Sequence, residues 1–465
     1  MRARFSLLAM ALLSGCATAP QYAPPELPAV PAFKEQGPWV TAGTDMPATA
    51  EWWRIFGDTT LDTLIPRIEA GSPSLAAAVA RYDQAAAQVR RERADLLPSV
   101  SAGADVSRAR VSAGRAPTAP GSATYSDRSV GASLSYELDL FGRIRNSVRQ
   151  ASAGAQASEA DLAATRLALQ TQLASIYFDL RGLDARLALL RESVSAFQRA
   201  YDLTSTRHGG GIASGLDVSR AATILANARA ELDAVAAARA RDEHAIAILI
   251  GEAPANFSLP VVDQLVEAPA IPVGLPSTLL QRRPDLVAAE RRVAAANAGI
   301  GVARAALFPR VTLGAQGGFE TIHGDILSAS NGFWALGPLA AMASIFDGGA
   351  RRANVRIARA QFDEAAARYR EAVLDAFREV EDNLATARNL ASQERNQLDA
   401  ATAADRTRDL AMTRYRDGAS DYLDVVTAQT AALDARRALL ITRSTQLGVA
   451  ADMVRALGGS YPQGR

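Results

Sequence analysis

An apolar residue returns at every seventh position from Leu162 to Phe197: Leu162, Leu169, Ile176, Leu183, Leu190 and Phe197. A second series follows four residues behind most of them, at Leu173, Leu180, Leu187, Val194 and Tyr201. Together they make the a/d seam of a helix packed lengthwise in a coiled coil. No proline interrupts Arg143 to Arg207, so the stretch predicts one helix of roughly 95–100 Å at the standard rise. That is far longer than a small globular domain needs. Asp, Glu, Arg and Gln recur along it, which makes it too polar to cross a bilayer.

Three further stretches carry helical seams. Leu216 to Ile250 has Val218, Ala221, Leu225, Ala228, Leu232 and Val235. Ala350 to Arg416 has Val373, Phe377, Val380, Leu384, Ala387, Leu398 and Ala401, and the last helix repeats Val426, Leu433, Leu440, Leu447 and Val454. Short links containing glycine, His208 to Gly215 and Asp417 to Asp421, turn each long helix back on itself as a hairpin.

The chain also repeats itself with a period of about 207 residues. Asp95-Leu96-Leu97-Pro98 parallels Ala306-Leu307-Phe308-Pro309, and Gly215-Leu216-Asp217-Val218 parallels Tyr422-Leu423-Asp424-Val425. Each half reads helix, strand, strand, long helix, turn, long helix. The first helices, about Ser74 to Leu96 and Ser277 to Leu307, stop before Pro98 and Pro309. The chain divides into residues 1–15, 16–73, 74–251 (first repeat), 252–276 (a Pro- and Val-rich linker), 277–457 (second repeat) and 458–465. The linker, Pro20 to Gly71 and the tail are expected to form a belt around the middle of the helices.

Strands lie between the helices. From Ser129 to Leu140, Val130, Ala132, Leu134, Tyr136 and Leu138 alternate with Gly131, Ser133, Ser135, Glu137 and Asp139. Val100 to Ser107 and Val311 to Glu320 alternate in the same way. Strands of about 9–11 residues with one greasy and one polar face suit lipid on one side and water on the other. Gly332 to Phe346 is less regular, and Pro338 marks an edge, a bend or a bulge. The hairpin tips, Ala109 to Asp127 and Glu320 to Asn331, read as exposed loops. Four strands cannot close on themselves, and open edges in lipid are not tolerated, so several chains must contribute to one barrel.

At the start, Arg2 and Arg4 precede an apolar run from Phe5 to Leu13 that is short enough for a secretory signal. Leu13-Ser14-Gly15-Cys16 resembles a bacterial lipobox, which makes Cys16 the acylated N-terminus, and several acyl chains anchor stably. Ala17 in place of Asp resembles lipoproteins sent to the outer membrane. The Pro- and Ala-rich residues 17–43 read as an extended tether. Trp52, Trp53 and Phe56 are expected to pack a short amphipathic helix onto the body.

The totals exclude several classes. A net charge of +1 on 465 residues gives no reason to expect nucleic acid. Cys16 is the only cysteine and His208, His244 and His323 lie far apart, so no metal site and no cofactor is read from the chain. No catalytic or phosphate-binding constellation has defensible spacing, and the chain is read as no enzyme. Six methionines without clustering give no support for copper export.

Four motifs are the most distinctive: Glu51-Trp52-Trp53 with Phe56-Gly57-Asp58 and Leu61; Arg283-Pro284-Asp285-Leu286 with Ala289-Glu290; Ala303-Arg304-Ala305 with Phe308-Pro309; and Thr413-Arg414-Tyr415 with Gly418, Tyr422-Leu423-Asp424-Val425 and Ala428-Gln429. In order and spacing they resemble the TolC-like outer-membrane factors, in particular the lipoprotein NodT-type branch that serves resistance-nodulation-division (RND) efflux pumps. The resemblance covers essentially the whole mature chain. It implies a mixed α and β fold and a homotrimer in outer-membrane lipid. Each chain gives four transmembrane strands to a shared twelve-stranded barrel and its helices to a periplasmic α-barrel. It also implies a periplasmic adaptor (membrane fusion) protein and an inner-membrane RND pump as partners.

By the same resemblance, Arg414, Tyr415, Asp421 and Asp424 form a periplasmic gate, with the two aspartates as a carboxylate ring and Arg414 tying neighbouring helices together. The first tip departs from that charged pattern; Gly209, Gly210, Gly211, Ser214 and Gly215, together with Gly418, resemble the adaptor-docking tip. The function implied is a passive exit duct for small toxic compounds. A type I protein secretion duct and a structural coiled-coil outer-membrane lipoprotein are the alternatives.

Overall fold

Period-two stretches become strands and heptad stretches become helices. The computed structural model describes residues 18–27, 30–35, 51–110, 124–269, 282–322 and 324–459. Cys16, His323, the 270–276 end of the linker, the expected helix start at Ser277 and the tail beyond Gly459 lie outside the described residues. A 3-10 turn at Trp52–Phe56 leads into α1 (Thr59–Leu64), α2 (Arg67–Gly71) and α3 (Pro73–Ala94). Then come β1 (Ser99–Arg110), β2 (Thr124–Leu138), α4 (Arg143–Gly209) and α5 (Gly215–Leu249). The second repeat is α6 (Pro284–Ala305), β3 (Arg310–Thr321), β4 (Gly332–Met342), α7 (Ala350–Arg416) and α8 (Tyr422–Ala456). Both α4 and α7 have 67 residues, and both α5 and α8 have 35. Among the described residues no helix is long and apolar enough to cross a membrane.

The two long helices start by the same device. Gly142 at φ 75° and Gly348 at φ 64° turn the chain, and an aspartate just before or beside each glycine accepts the first free amides. Asp139 takes the N–H of Arg145 at 2.9 Å and of Ile144 at 3.2 Å; Asp347 takes Gly349 at 2.9 Å and Arg351 at 3.2 Å. The backbone N–H groups of Arg351 and Gly349 hold the Asp347 carboxyl below its usual range.

The chain resolves into two units, each drawing on both repeats. One comprises residues up to Glu26, Arg81–Glu159 and Ala288–Arg370; the other comprises Leu27–Ala80, Ala160–Val287 and Glu371–Arg465.

The first unit holds the sheet, an antiparallel array in the order β1-β2-β3-β4. Residues across the ladder share a face. Val100, Leu134, Ala315 and Leu336 form one row; the next row, on the opposite face, is Ser101, Ser133, Gln316 and Ala335. Alternation of this kind continues through Ala104, Val130 and Phe319 against Asp105, Ser129 and Glu320. Gly131 and Gly318 are paired, and a Cβ on Gly318 would sit 2.5 Å from the Gly131 Cα. The Pro338 signal resolves as a bulge: the register slips between Leu313 and Ala315, where Gly337 and Pro338 intervene on β4. The strands reach further into the first hairpin tip than its composition suggests, because Arg108 pairs with Ser126 and Arg110 with Thr124. Residues 18–22 also belong to this unit. The Thr18 hydroxyl donates to Gly301 O at 3.1 Å and accepts from Asn146 at 3.0 Å, and Asn297 donates to Pro20 O at 2.9 Å.

The second unit has the main core. Trp52, Trp53, Phe56, Leu61, Ile65 and Ile68 are buried against Leu173, Tyr177, Phe178 and Leu180 of α4, Ile246 of α5 and Leu447 and Val454 of α8. The α4 seam then runs down through Leu187 and Leu190 on Val235, and Phe197 on Leu225 and Ala228. The linker is strapped to this core. Asp184, fully buried, binds Arg181 at 2.8 Å and Arg239 at 2.6 Å, and these arginines donate to Pro260 O and Leu259 O. Removing one member would strand a buried charge, which costs about 3–5 kcal/mol. Leu398, assigned to the α7 seam by its spacing, is 45% exposed among the described residues.

Candidate functional site

The two helix-to-helix tips are copies of one turn. In the first, Gly211 N–H donates to His208 O at 2.9 Å and Ile212 N–H to Arg207 O at 2.8 Å. In the second, Gly418 N–H donates to Tyr415 O at 3.1 Å and Ala419 N–H to Arg414 O at 2.8 Å. That paired pattern needs a left-handed residue, supplied by Gly211 at φ 77° and Gly418 at φ 75°. A polar side chain then caps the returning helix. Ser214 accepts from Asp217 N–H at 3.2 Å, and Asp421 accepts from Asp424 N–H at 3.2 Å.

The copies differ in what fills them. His208 stays within its own turn, 2.9 Å from Ala213 O, and Gly215 faces it without a side chain. The equivalent positions in the second tip are Tyr415 and Tyr422. Both are buried, with ring centroids 5.4 Å apart, and they pack with Ala200, Ala221 and Val425. Thr204 lies 3.4 Å from the Tyr415 hydroxyl. Burial pushes the Tyr422 hydroxyl up to about 12, with the neighbouring Tyr415 adding to the shift.

Arg207 joins the two tips. Its guanidinium lies 4.5 Å over the Tyr415 ring and donates to Tyr415 O at 2.9 Å and Arg416 O at 3.0 Å. Those carbonyls end α7, where Tyr415 O also accepts the Gly418 N–H of the turn, so a cation there shares that acceptor, satisfies Arg416 O and suits the helix dipole. Arg414, its counterpart in the repeat, reaches only its own turn at Ala419 O, 3.5 Å away, and is exposed.

Of the residues singled out by sequence, Arg414, Asp421 and Asp424 lie on the exposed side of the second tip, and Asp421 doubles as a helix cap. Tyr415 lies inside, buried in the tip core with its ring tilted against Tyr422. Gly209, Gly210, Gly211, Ser214 and Gly215 are all exposed in the first tip, and Gly418 in the second. A Cβ on Gly209 or Gly211 would meet nothing within 4 Å. Arg207, Thr204 and Tyr422 carry no site role in the sequence-based assignment, nor do Ile212 and Leu216, which are exposed apolar side chains beside the glycines. Comparing the two tips residue by residue points to Arg207: it matches Arg414 in type and place, while only the second tip supplies an aromatic ring.

The described residues contain no His, Cys, Asp and Glu grouping able to hold a metal ion.

A family model described as outer membrane efflux protein matches residues 64–252 and again 275–459, one match for each repeat. The antibiotic efflux pump outer membrane protein ArpC of Pseudomonas putida is 36% identical over 98% of this chain and 96% of its own length. The toluene efflux pump outer membrane protein TtgC of Pseudomonas putida is 35% identical with the same coverage. Among solved structures, the outer-membrane channel OprN superimposes with a TM-score of 0.88 at 30% identity, covering 96% of this chain and 100% of that one.

Proposed function

This chain belongs to the outer membrane efflux protein family and has its TolC-like channel fold, and from that premise we propose that it is the exit duct of a tripartite efflux system of the RND type. Three copies join their sheets edge to edge into a twelve-stranded barrel, with the leucine and valine rows on lipid and the serine rows on water. The observation that carries this reading is the sheet: its two faces are chemically opposite, and β1 and β4 each leave an edge unpaired among the described residues. Leu398, Leu410 and Leu423, all exposed in one chain, support helix packing between copies.

No chemistry is required of the duct. The inner-membrane pump supplies energy, a periplasmic adaptor bridges the two, and small toxic compounds leave passively. Asp421 and Asp424 from three chains form a carboxylate ring that favours cations and repels itself, and Arg414 ties neighbouring tips together. Support for that role comes from the exposure of all three on the second tip. The open glycine turn at Gly209 to Gly215, with Gly418 at the second tip, is where the adaptor docks. Its support is the space around Gly209 and Gly211 and the exposed Ile212 and Leu216 beside them. Cys16 carries the lipid. Thr18, two positions further along the chain, is held on Gly301.

Deleting the gene sensitises the cell to toxic compounds, and the purified assembly conducts ions in a planar bilayer. A correctly folded assembly that never conducts, whatever its gate residues, would leave only the scaffold role.

A further inference from the structure

Both long helices open with arginines at the end where the helix dipole disfavours cations. α4 begins Arg143-Ile144-Arg145, α7 carries Arg351 and Arg352, and neither has an acidic residue in its first turn. α3 and α6 end on Arg91, Arg93 and Arg304. The antiparallel ladder brings these four helix ends to one end of the sheet, since Ser99 starts opposite Ser135 and Arg310 opposite Met342. All lie in the same unit as the strands.

Acids of the chain account for only part of this charge. Glu137 pairs with Arg143 at 2.8 Å, Asp139 with Arg145 at 3.2 Å and Asp347 with Arg351 at 3.6 Å. Arg93, Arg149, Arg352 and Arg356 are exposed and form no salt bridge among the described residues. Apolar groups border them at the same end of the sheet. Phe346 is 91% exposed, and the Phe141 and Phe308 rings stack at 4.7 Å.

We propose that these arginines form a girdle that binds the phosphate headgroups of anionic phospholipid, at the leaflet boundary where the strands leave the membrane. This rests on the reading that the sheet lies in lipid. Charge complementarity and continuity with the apolar strand rows name the occupant. A guanidinium fits a phosphate bidentately, and exposed phenylalanines enter the acyl border beside it.

The test uses the full-length protein and the Arg149→Gln/Arg352→Gln/Arg356→Gln variant, whose side chains tie down no acid of the chain. Each is reconstituted in phosphatidylcholine vesicles with or without about one-third phosphatidylglycerol. Retained lipids are then counted by native mass spectrometry. The expected result is a preference for phosphatidylglycerol of roughly fivefold or more that falls in about 0.5 M salt and is lost in the variant, which still assembles and conducts. Equal retention of the two lipids, an unchanged preference in the variant, or displacement by millimolar inorganic phosphate would overturn the inference. Wild-type protein that does not co-float with neutral vesicles would overturn the membrane reading and the girdle together. Co-flotation without a lipid preference would overturn the girdle alone.

Discussion

Arg207 closes over Tyr415: the guanidinium carbon lies 4.5 Å from the ring centroid, and the same group caps the carbonyls of Tyr415 and Arg416. One side chain of the first hairpin thereby holds the end of the second. Replacing it with glutamine, Arg207→Gln, removes a cation–π contact and charge-assisted hydrogen bonds worth roughly 1–3 kcal/mol together. The predicted outcome is a severalfold rise in resting conductance in planar bilayers with little change in assembly yield. Unchanged conductance would remove Arg207 from the closed tip.

Asp421 and Asp424 separate by what else they do. Asp421 accepts the Asp424 amide as the α8 cap, so Asp421→Ala costs about 1 kcal/mol of helix stability as well as a charge of the proposed ring. Asp421→Asn keeps the cap and loses only the charge. Asp424→Asn removes a carboxylate that caps nothing. The two asparagine variants should therefore weaken cation selectivity alike at unchanged thermal stability, measured by reversal potential and melting. If only Asp421→Ala alters conduction, the carboxylate ring is refuted.

The faces of the sheet are tested by moving one residue along β2. Leu134 lies in the row with Val100 and Ala315, and Ser133 in the row with Ser101 and Gln316. An arginine on a lipid face near the bilayer midplane costs about 2–4 kcal/mol, whereas a water-filled lumen tolerates it. Leu134→Arg should sharply reduce the membrane-inserted assembly, and Ser133→Arg should leave it intact with altered selectivity. Equal tolerance would contradict the assignment of faces.

Much of this was legible in residue order. The seam at Leu183, Leu187, Leu190 and Phe197 is the set that packs on α5, because a heptad encodes its own neighbour. The α7 boundaries follow from turn residues on either side of Ala350 and Arg416. Pro338 marked an edge, a bend or a bulge, and only the strand register shows that it is a bulge opposite Gly314. What stayed hidden depended on contacts between distant residues. Arg207 looks like any base in a last helical turn until Tyr415, 208 positions away, lies beneath it. The strand extension to Arg110 was missed because charged and small residues there resemble a loop, while the backbone ladder is indifferent to them. Leu398 fits the α7 seam by spacing, yet it stays 45% exposed among the described residues of one chain.

The buried tyrosines set a pH expectation. Tyr422 ionises near 12 in the folded tip and near 10 when unfolded. Its folded value is raised, so its contribution is complete below pH ~10 and is lost as pH climbs through about 12. An ultraviolet ionisation titration of wild type minus Tyr422→Phe should give a step centred near 12. Between pH 6 and 9 the two proteins should conduct identically as pH varies. A difference step near 10 would mean that Tyr422 faces water.

The central claim is that one polypeptide supplies only part of a barrel. Its most direct test is the native mass of the assembly extracted in mild detergent. Three chains are expected, each of 49.0 kDa before processing. A folded single chain, stable in water without detergent or lipid, would contradict it.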